Sequence, residues 1–292
     1  MDTSKEIAVG IDIGGTNSRF GVVNGNGEVL EHDRFPTSSY PKAEGFVRAI
    51  SRKIKEVIKQ YEEYTIKGIG IGAPNGNFFK GTIEQAPNLP WKGMISFVDM
   101  FKRQFNERIV LTNDANAAAI GEMMFGGARH MKDFIVITLG TGLGSGIVVN
   151  GDLVYGHDGF AGEIGHTFVY MDSGRKCGCG RQGCLETYAS AQGIKRTVFE
   201  LLAEKTRDSE LRGFSFNEMS SEDIFHAAQN GDRLAKEAFD ITGQYLGMKL
   251  ADSVVYTSPE AIFLYGGLAK SGNLILNPTI KTFDDHVMNI FK

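Results

Sequence analysis

The chain has few cysteines, no long apolar run and no basic block, and each lack removes a class of function. Across 292 residues the only cysteines are Cys177, Cys179 and Cys184. An odd number crowded into one short stretch argues against a disulfide framework and for a metal. No stretch approaches the ~18 apolar residues of a transmembrane helix, and the first apolar run, Ile7 to Ile13, is cut by Asp12. No signal-peptide hydrophobic region follows Met1, so a cytoplasmic location is expected. Lys and Arg number 31 against 35 Asp and Glu and are spread along the chain, which disfavours nucleic acid or an anionic membrane as partner. Also absent is G-x-x-x-x-G-K-[ST], and neither glycine turn between strands, Gly14–Asn17 or Gly140–Gly144, fits G-x-G-x-x-G. A P-loop NTPase and a Rossmann dinucleotide site are thereby disfavoured.

What is present is an α/β pattern of a length that suits two packed lobes. Residues 6–13 read as a buried strand, followed by the turn Gly14-Gly15-Thr16-Asn17, a strand over 18–23 and the hairpin turn Asn24-Gly25-Asn26-Gly27. A third strand near 28–35, an amphipathic helix over 43–61 and a buried strand over 66–72 complete the block. A second block starts at Phe134: at an offset of 126, Gly14 falls on Gly140 and Val22-Val23-Asn24-Gly25 on Val148-Val149-Asn150-Gly151. Any two hairpins look somewhat alike, but these identities in one register favour a duplication, hence two similar lobes with a ligand cleft between them. Helices are expected over 114–125, 190–205, 221–229 and 232–253, and a strand over 261–265. The lobe boundary is placed near 112, giving lobes 1–112 and 113–292.

Asp12 to Asn17 is the first phosphate candidate. Glycines let backbone N–H groups approach an anion, Thr16 and Asn17 add donors, and Asp12 at the strand end can hold Mg²⁺ through water. Gly140-Thr141-Gly142-Leu143-Gly144 is the second. Alone, either could be a plain hairpin turn; together they suggest two loops clasping one polyphosphate. Asp114 stands between a short strand and an alanine-rich helix; the plain reading is an N-cap worth ~1 kcal/mol, the functional one a general base. His166-x10-Cys177-x-Cys179-x4-Cys184 offers three thiolates and an imidazole, a closed set for structural Zn²⁺. Glu163 and Glu186 bracket this loop, 166–186. They are either solvated charges or carboxylates held rigidly enough to recognise a polyol.

Together these motifs resemble the ROK family (repressors, open reading frames and sugar kinases), matching in family order from residue 12 to about 268: Asp12 to Asn17, Asn113-Asp114, Gly162-Glu163-Ile164-Gly165-His166, and Cys177 through Glu186. The resemblance implies a two-lobed hexokinase/actin/Hsp70-like (ribonuclease H-like) fold with a zinc-binding loop, and an ATP-dependent hexose kinase using ATP, Mg²⁺ and Zn²⁺. It implies Asp114 as base, Asn113, Glu163, His166 and Glu186 on sugar hydroxyls, Asn88 and Gly76 near the sugar, and Thr141, Gly142, Gly266 and Gly267 near the nucleotide. It also implies a homo-oligomer, dimer or tetramer. Asn88 in Pro87-Asn88-Leu89-Pro90-Trp91 leans the substrate towards glucose. A fructose/mannose or N-acetylhexosamine kinase and a non-catalytic sugar sensor are the alternatives. With eleven residues before Asp12, no helix-turn-helix is expected. Asn75 replaces a glycine common in the family, and the end at Lys292 leads to the expectation that the final strand and helix of the nucleotide lobe are missing.

Overall fold

The computed structural model describes residues 5–171 and 174–292; the leader-free reading of Met1 to Ser4 lies outside the described residues. The chain divides into two compact units, one running to Met131 with Leu153–Ala161, the other Lys132–Asp152 with Gly162–Lys292.

The first unit is built on β1 (Glu6–Asp12), β2 (Asn17–Asn24) and β3 (Val29–Pro36), then α1 (Ala43–Ile58), β4 (Thr65–Gly72), β5 (Gly76–Asn77), β6 (Thr82–Glu84), β7 (Met94–Ile95), α2 (Phe97–Lys102), β8 (Ile109–Thr112) and α3 (Asp114–Phe125). Alternation in β1 buries Ile7, Val9 and Ile11 on one face, as a half-covered strand requires. The Asn24 side-chain oxygen accepts the Asn26 and Glu28 N–H groups, each at 3.0 Å, and closes the hairpin. Helix α1 buries Phe46, Val47, Ile50, Ile54 and Val57 against that core. The main sheet runs β3-β2-β1-β4-β8. Within it β1, β4 and β8 are parallel, with Asp12 opposite Gly72 and Gly72 opposite Thr112. Their carboxyl ends therefore share one edge.

The second unit holds β9 (Phe134–Leu139), β10 (Leu143–Val149) and β11 (Asp152–Leu153), then α4 (Ala191–Glu204), α5 (Ser221–Gln229), α6 (Arg233–Thr257), β12 (Ala261–Tyr265) and α7 (Asn273–His286). Its sheet, β11-β10-β9-β12, repeats the antiparallel hairpin with a parallel third strand. The repeat extends to a single bond: Gly25 N–H donates to Glu6 C=O, and Gly151 N–H to Lys132 C=O, both ends shifted by the same offset. The hairpin registers nevertheless differ. Ala8 faces Val23, but Phe134 faces Val148 rather than Val149, because Gly140–Gly142 is a shorter connection than Ile13–Thr16.

One expectation is corrected, and two elements went unread in the sequence. The boundary falls after Met131, not near 112, because α3 packs on the β4 end: a Cβ on Gly72 would lie 3.3 Å from the Ala117 Cβ and 3.5 Å from the Asp114 Cα. A cut at 112 would sever that packing. Helix α7 was not expected, since Pro278 lies inside it and proline ordinarily breaks a helix. The ring is accommodated on α6, where a Cβ on Gly243 would stand 2.5 Å from the Pro278 Cγ, and one on Gly247 would stand 2.3 Å from the Thr279 carbonyl oxygen. The short strands β5, β6 and β7 form a further small sheet that no periodicity revealed. Among the described residues no helix is long and apolar enough to cross a membrane.

Two glycine substitutions should have opposite signs. Gly247→Ala drives a methyl into backbone and should lower stability by ~1–3 kcal/mol. Gly121→Ala, in α3 with nothing within 4 Å, should raise it by ~0.5–1 kcal/mol. Urea midpoints at constant m check both.

Candidate active site and metal cluster

In the first unit the candidate residues collect at the shared carboxyl edge of β1, β4 and β8, where open α/β sheets bind ligands. Asp12 ends β1, and the Gly14–Asn17 turn follows. That turn is tight: a Cβ on Gly14 would stand 2.4 Å from the Asn17 carbonyl oxygen, and one on Gly15 would stand 2.1 Å from that of Asn88. The phosphate candidate and the Asn88 segment thus touch through backbone. Asn75 adopts φ +51°, and its side-chain amide donates to the Glu84 carbonyl at 2.9 Å. Asn tolerates this left-handed region, so the departure from glycine costs the turn little. Gly76 next to it leaves no room for a side chain, since its Cβ would lie 2.4 Å from the Thr112 carbonyl oxygen.

The N-cap of α3 falls on Asn113, whose side chain accepts the Ala115 N–H at 2.8 Å. Asp114 is the first helical residue, with the Ala115 N–H 2.9 Å from its own Oδ1. The plain reading of Asp114 as the cap is therefore corrected: the cap is its neighbour. Asp12 and Asp114 are both open to solvent, yet protein crowds round them. Burial pushes the Asp114 carboxyl up, the Ala115 N–H partly offsets this, and the Asp12 charge raises it further. Burial likewise raises Asp12, with Arg19 opposing. Two acids made reluctant to ionise at one sheet edge are what proton transfer or cation binding uses.

In the second unit His166, Cys177, Cys179 and Cys184 bring their ligand atoms within 4.8 Å of one another. Tetrahedral zinc with ~2.3 Å bonds to sulfur puts two sulfurs ~3.8 Å apart and a sulfur–imidazole pair ~3.6 Å apart. The cluster has 3.7 Å from Cys179 Sγ to Cys184 Sγ and 3.6 Å from Cys177 Sγ to His166 Nδ1. The donor set fits that ion, with Nδ1 as the histidine donor. Burial opposes it, but hydrogen bonds from Arg181 bring the Cys179 thiol down to about 7, close to the thiolate a metal needs. Burial pushes Cys177 and Cys184 up.

Glu163 and Glu186 both stand beside His166, Glu163 at 3.9 Å from Nε2 and Glu186 at 3.8 Å from Nδ1. Segment 162–166 is bedded on β10: the Ser145 hydroxyl donates to the Gly162 carbonyl and accepts the Ile164 N–H at 3.2 Å. Ser145 went unremarked in the sequence, where a small polar residue in a strand carries no signal. Glu186 also reaches the second glycine loop. Its Oε2 lies 3.4 Å from the Leu143 N–H and would be 2.5 Å from a Cβ on Gly142. Thr141 sits in the same loop between β9 and β10. Gly266, at φ +104°, and Gly267 follow β12 beside it, the Gly266 Cβ position being 2.6 Å from the Leu139 carbonyl oxygen.

Parallel-strand ends bearing glycine loops in each unit, with a closed cysteine–histidine cluster, define an α/β protein with mixed sheets. The chain matches the ROK family over residues 8–292 and belongs to it. It is similar to the glucokinase of Halalkalibacterium halodurans, 34% identical over 284 residues, spanning 96% of this chain and 86% of that protein. It is similar to the xylose repressor of Caldicellulosiruptor bescii, 30% identical over 282 residues, spanning 94% of this chain and 70% of that protein. Among solved structures it is similar to a ROK family glucokinase from Streptomyces griseus in complex with glucose and AMPPNP, with TM-score 0.83 and 34% identity over 97% of this chain and 90% of that one.

Two outcomes follow from this geometry. Cys179→Ser should reduce bound zinc well below that of the wild type; metal analysis finding no zinc in fresh wild-type protein would contradict the assignment. Because the folded Asp114 pKa lies above its unfolded value of ~3.9, its contribution to stability is present at low pH and lost as pH rises through the folded pKa. Asp114→Asn should therefore melt higher than wild type at neutral pH, with the difference shrinking as pH falls into the carboxylate range. Equal melting curves at pH 7 would count against it.

Proposed function

We propose that the protein is an ATP-dependent sugar kinase that phosphorylates the 6-hydroxyl of a hexose, with glucose as its substrate. The observation that carries this reading is Asp114: an acid of raised pKa at the head of a helix, beside Asp12 and the Gly14–Asn17 turn. The similarity to a glucokinase in complex with glucose and AMPPNP supports the choice of both substrates.

Asp114, ionised, accepts the proton of the sugar hydroxyl as that oxygen bonds to the γ-phosphorus. The bond from the γ-phosphorus to the β–γ bridging oxygen breaks, leaving ADP and the sugar phosphate. Such transfer rests on positioning and charge stabilisation. Backbone N–H groups of Gly14 and Gly15, with Thr16 and Asn17, take phosphate oxygens, as do Thr141 and Gly142; Gly266 and Gly267 lie along the adenosine. Asn88, Asn113, Glu163, His166 and Glu186 hold sugar hydroxyls, with the Gly76 backbone close to the ring. Asp12 would hold Mg²⁺, which neutralises phosphate charge when bound. His166, Cys177, Cys179 and Cys184 would hold zinc, whose role with four protein donors is to fix the loop.

The similarity to a xylose repressor favours a second reading, a sugar sensor without turnover. Coupled ADP release assayed across glucose, fructose, mannose and the N-acetylhexosamines separates the two. Glucose-dependent release is the expected result, and sugar binding without release would replace the kinase with the sensor. Asp114→Asn should keep its zinc and lose at least ~10²-fold in kcat. The acid limb of the wild-type kcat/KM profile should sit above the ordinary carboxylate range, since the base acts only when ionised.

A further inference from the structure

Arg175 precedes the first zinc-ligand cysteine by two positions, in a glycine-flanked loop where an arginine would ordinarily be solvated. Its side chain is instead only 9% exposed, and every nitrogen of the guanidinium is engaged. Nε donates to Glu200 Oε1 at 2.8 Å, and Nη1 to the Thr187 carbonyl at 2.7 Å and the Gly193 carbonyl at 3.0 Å. Nη2 donates to Thr197 Oγ1 at 2.9 Å and to Glu200 Oε2. The guanidinium also lies over the Tyr188 ring, 4.3 Å from its centroid. The backbone joins in: the Arg175 N–H donates to the Tyr188 hydroxyl at 3.0 Å, and the Gly183 N–H donates to the Arg175 carbonyl at 3.0 Å.

These partners share one property. Thr187 and Tyr188 directly follow Glu186, Gly183 precedes Cys184, and Gly193, Thr197 and Glu200 lie on α4. We infer that Arg175 is a positioning residue for Glu186: it ties the turn carrying that carboxylate to α4 and so sets where the carboxylate meets a sugar hydroxyl. The inference rests on the reading of Glu186 as a sugar ligand. The bidentate fork to Glu200 and the simultaneous grip on two carbonyls demand a planar guanidinium, which a lysine ammonium cannot reproduce. The four metal donors lie outside this set of contacts. Arg175 thus reaches the Glu186 turn without touching a metal donor, although Glu186 itself stands 3.0 Å from the Cys177 Sγ.

The test uses the full chain with Arg175→Lys and, as a milder second variant, Glu200→Gln. Zinc per chain should match wild type in both. In Arg175→Lys the glucose KM should rise ~10–100-fold while kcat and the ATP KM stay within a few fold, with a smaller rise in Glu200→Gln. A fall in kcat at unchanged glucose KM would mean only a loss of folded protein and would overturn the inference, as would loss of zinc in step with sugar affinity. Amide exchange over Leu185–Tyr188, read by mass spectrometry, should quicken in Arg175→Lys relative to α6 whether or not the protein phosphorylates a sugar. Unchanged exchange there sinks the positioning role. Absence of sugar-dependent ADP release from the wild type sinks the kinase reading instead.

Discussion

Parallel pairing of β1, β4 and β8 in one register is the constraint on which the first unit's site depends. Because Asp12, Gly72 and Thr112 lie level across three strands, the segments that leave them must emerge side by side. The Gly14 turn, the Asn75–Gly76 turn and the Asn113–Asp114 helix start are those segments. Their glycines are explained by crowding at this edge as much as by ligand approach. Gly15 lies against Asn88, Gly76 against Thr112 and Gly72 against α3. One-residue slippage of any of the three strands would turn its end residue to the opposite face of the sheet.

The same edge carries an electrostatic cost. Asp12 raises Asp114, and burial raises both, so the fold keeps two acids where solvent alone would ionise them more easily. Arg19 opposes only the Asp12 half. The raised carboxyls therefore weaken this edge as pH rises and both acids ionise.

Much of this was legible in the sequence, and the misses have physical causes. The β1–β2 and β9–β10 hairpins announced themselves through apolar strands and Asn-Gly turns, and the equivalent bonds, Gly25 N–H to Glu6 C=O and Gly151 N–H to Lys132 C=O, agree with the repeat between them. The cysteine spacing announced a donor set that the fold then brings together. Helix α7 was hidden because proline's local preference is read without knowing that Gly243 opposite leaves room for the ring. The cap was assigned to Asp114 because Asn and Asp cap equally well and only backbone geometry separates adjacent candidates. The boundary near 112 failed because a strand followed by a helix looks like a domain edge until the helix is seen to pack back on β4. Arg175 was illegible for a further reason: its side-chain partners lie 12 to 25 positions along the chain, and two of them are backbone carbonyls, which every residue carries and no motif records.

Glu186 unites these levels within the second unit. One oxygen faces His166 and Cys177, at 3.8 and 3.0 Å, while the other lies 3.4 Å from the Leu143 N–H. A single carboxylate therefore spans from the cysteine cluster to the Gly140–Gly142 turn, and a Cβ at position 142 would collide with it. The glycine there leaves room for a neighbouring acid besides any anion that approaches the turn. That gives the loop a structural need for glycine independent of phosphate, and it joins the two motifs mechanically. Displacement of the cysteine loop moves Glu186, and movement of Glu186 removes the acceptor from the N–H at the start of β10. A loop that reads as two separate signals in the sequence is, in the folded chain, one hydrogen-bonded unit braced from behind by Arg175.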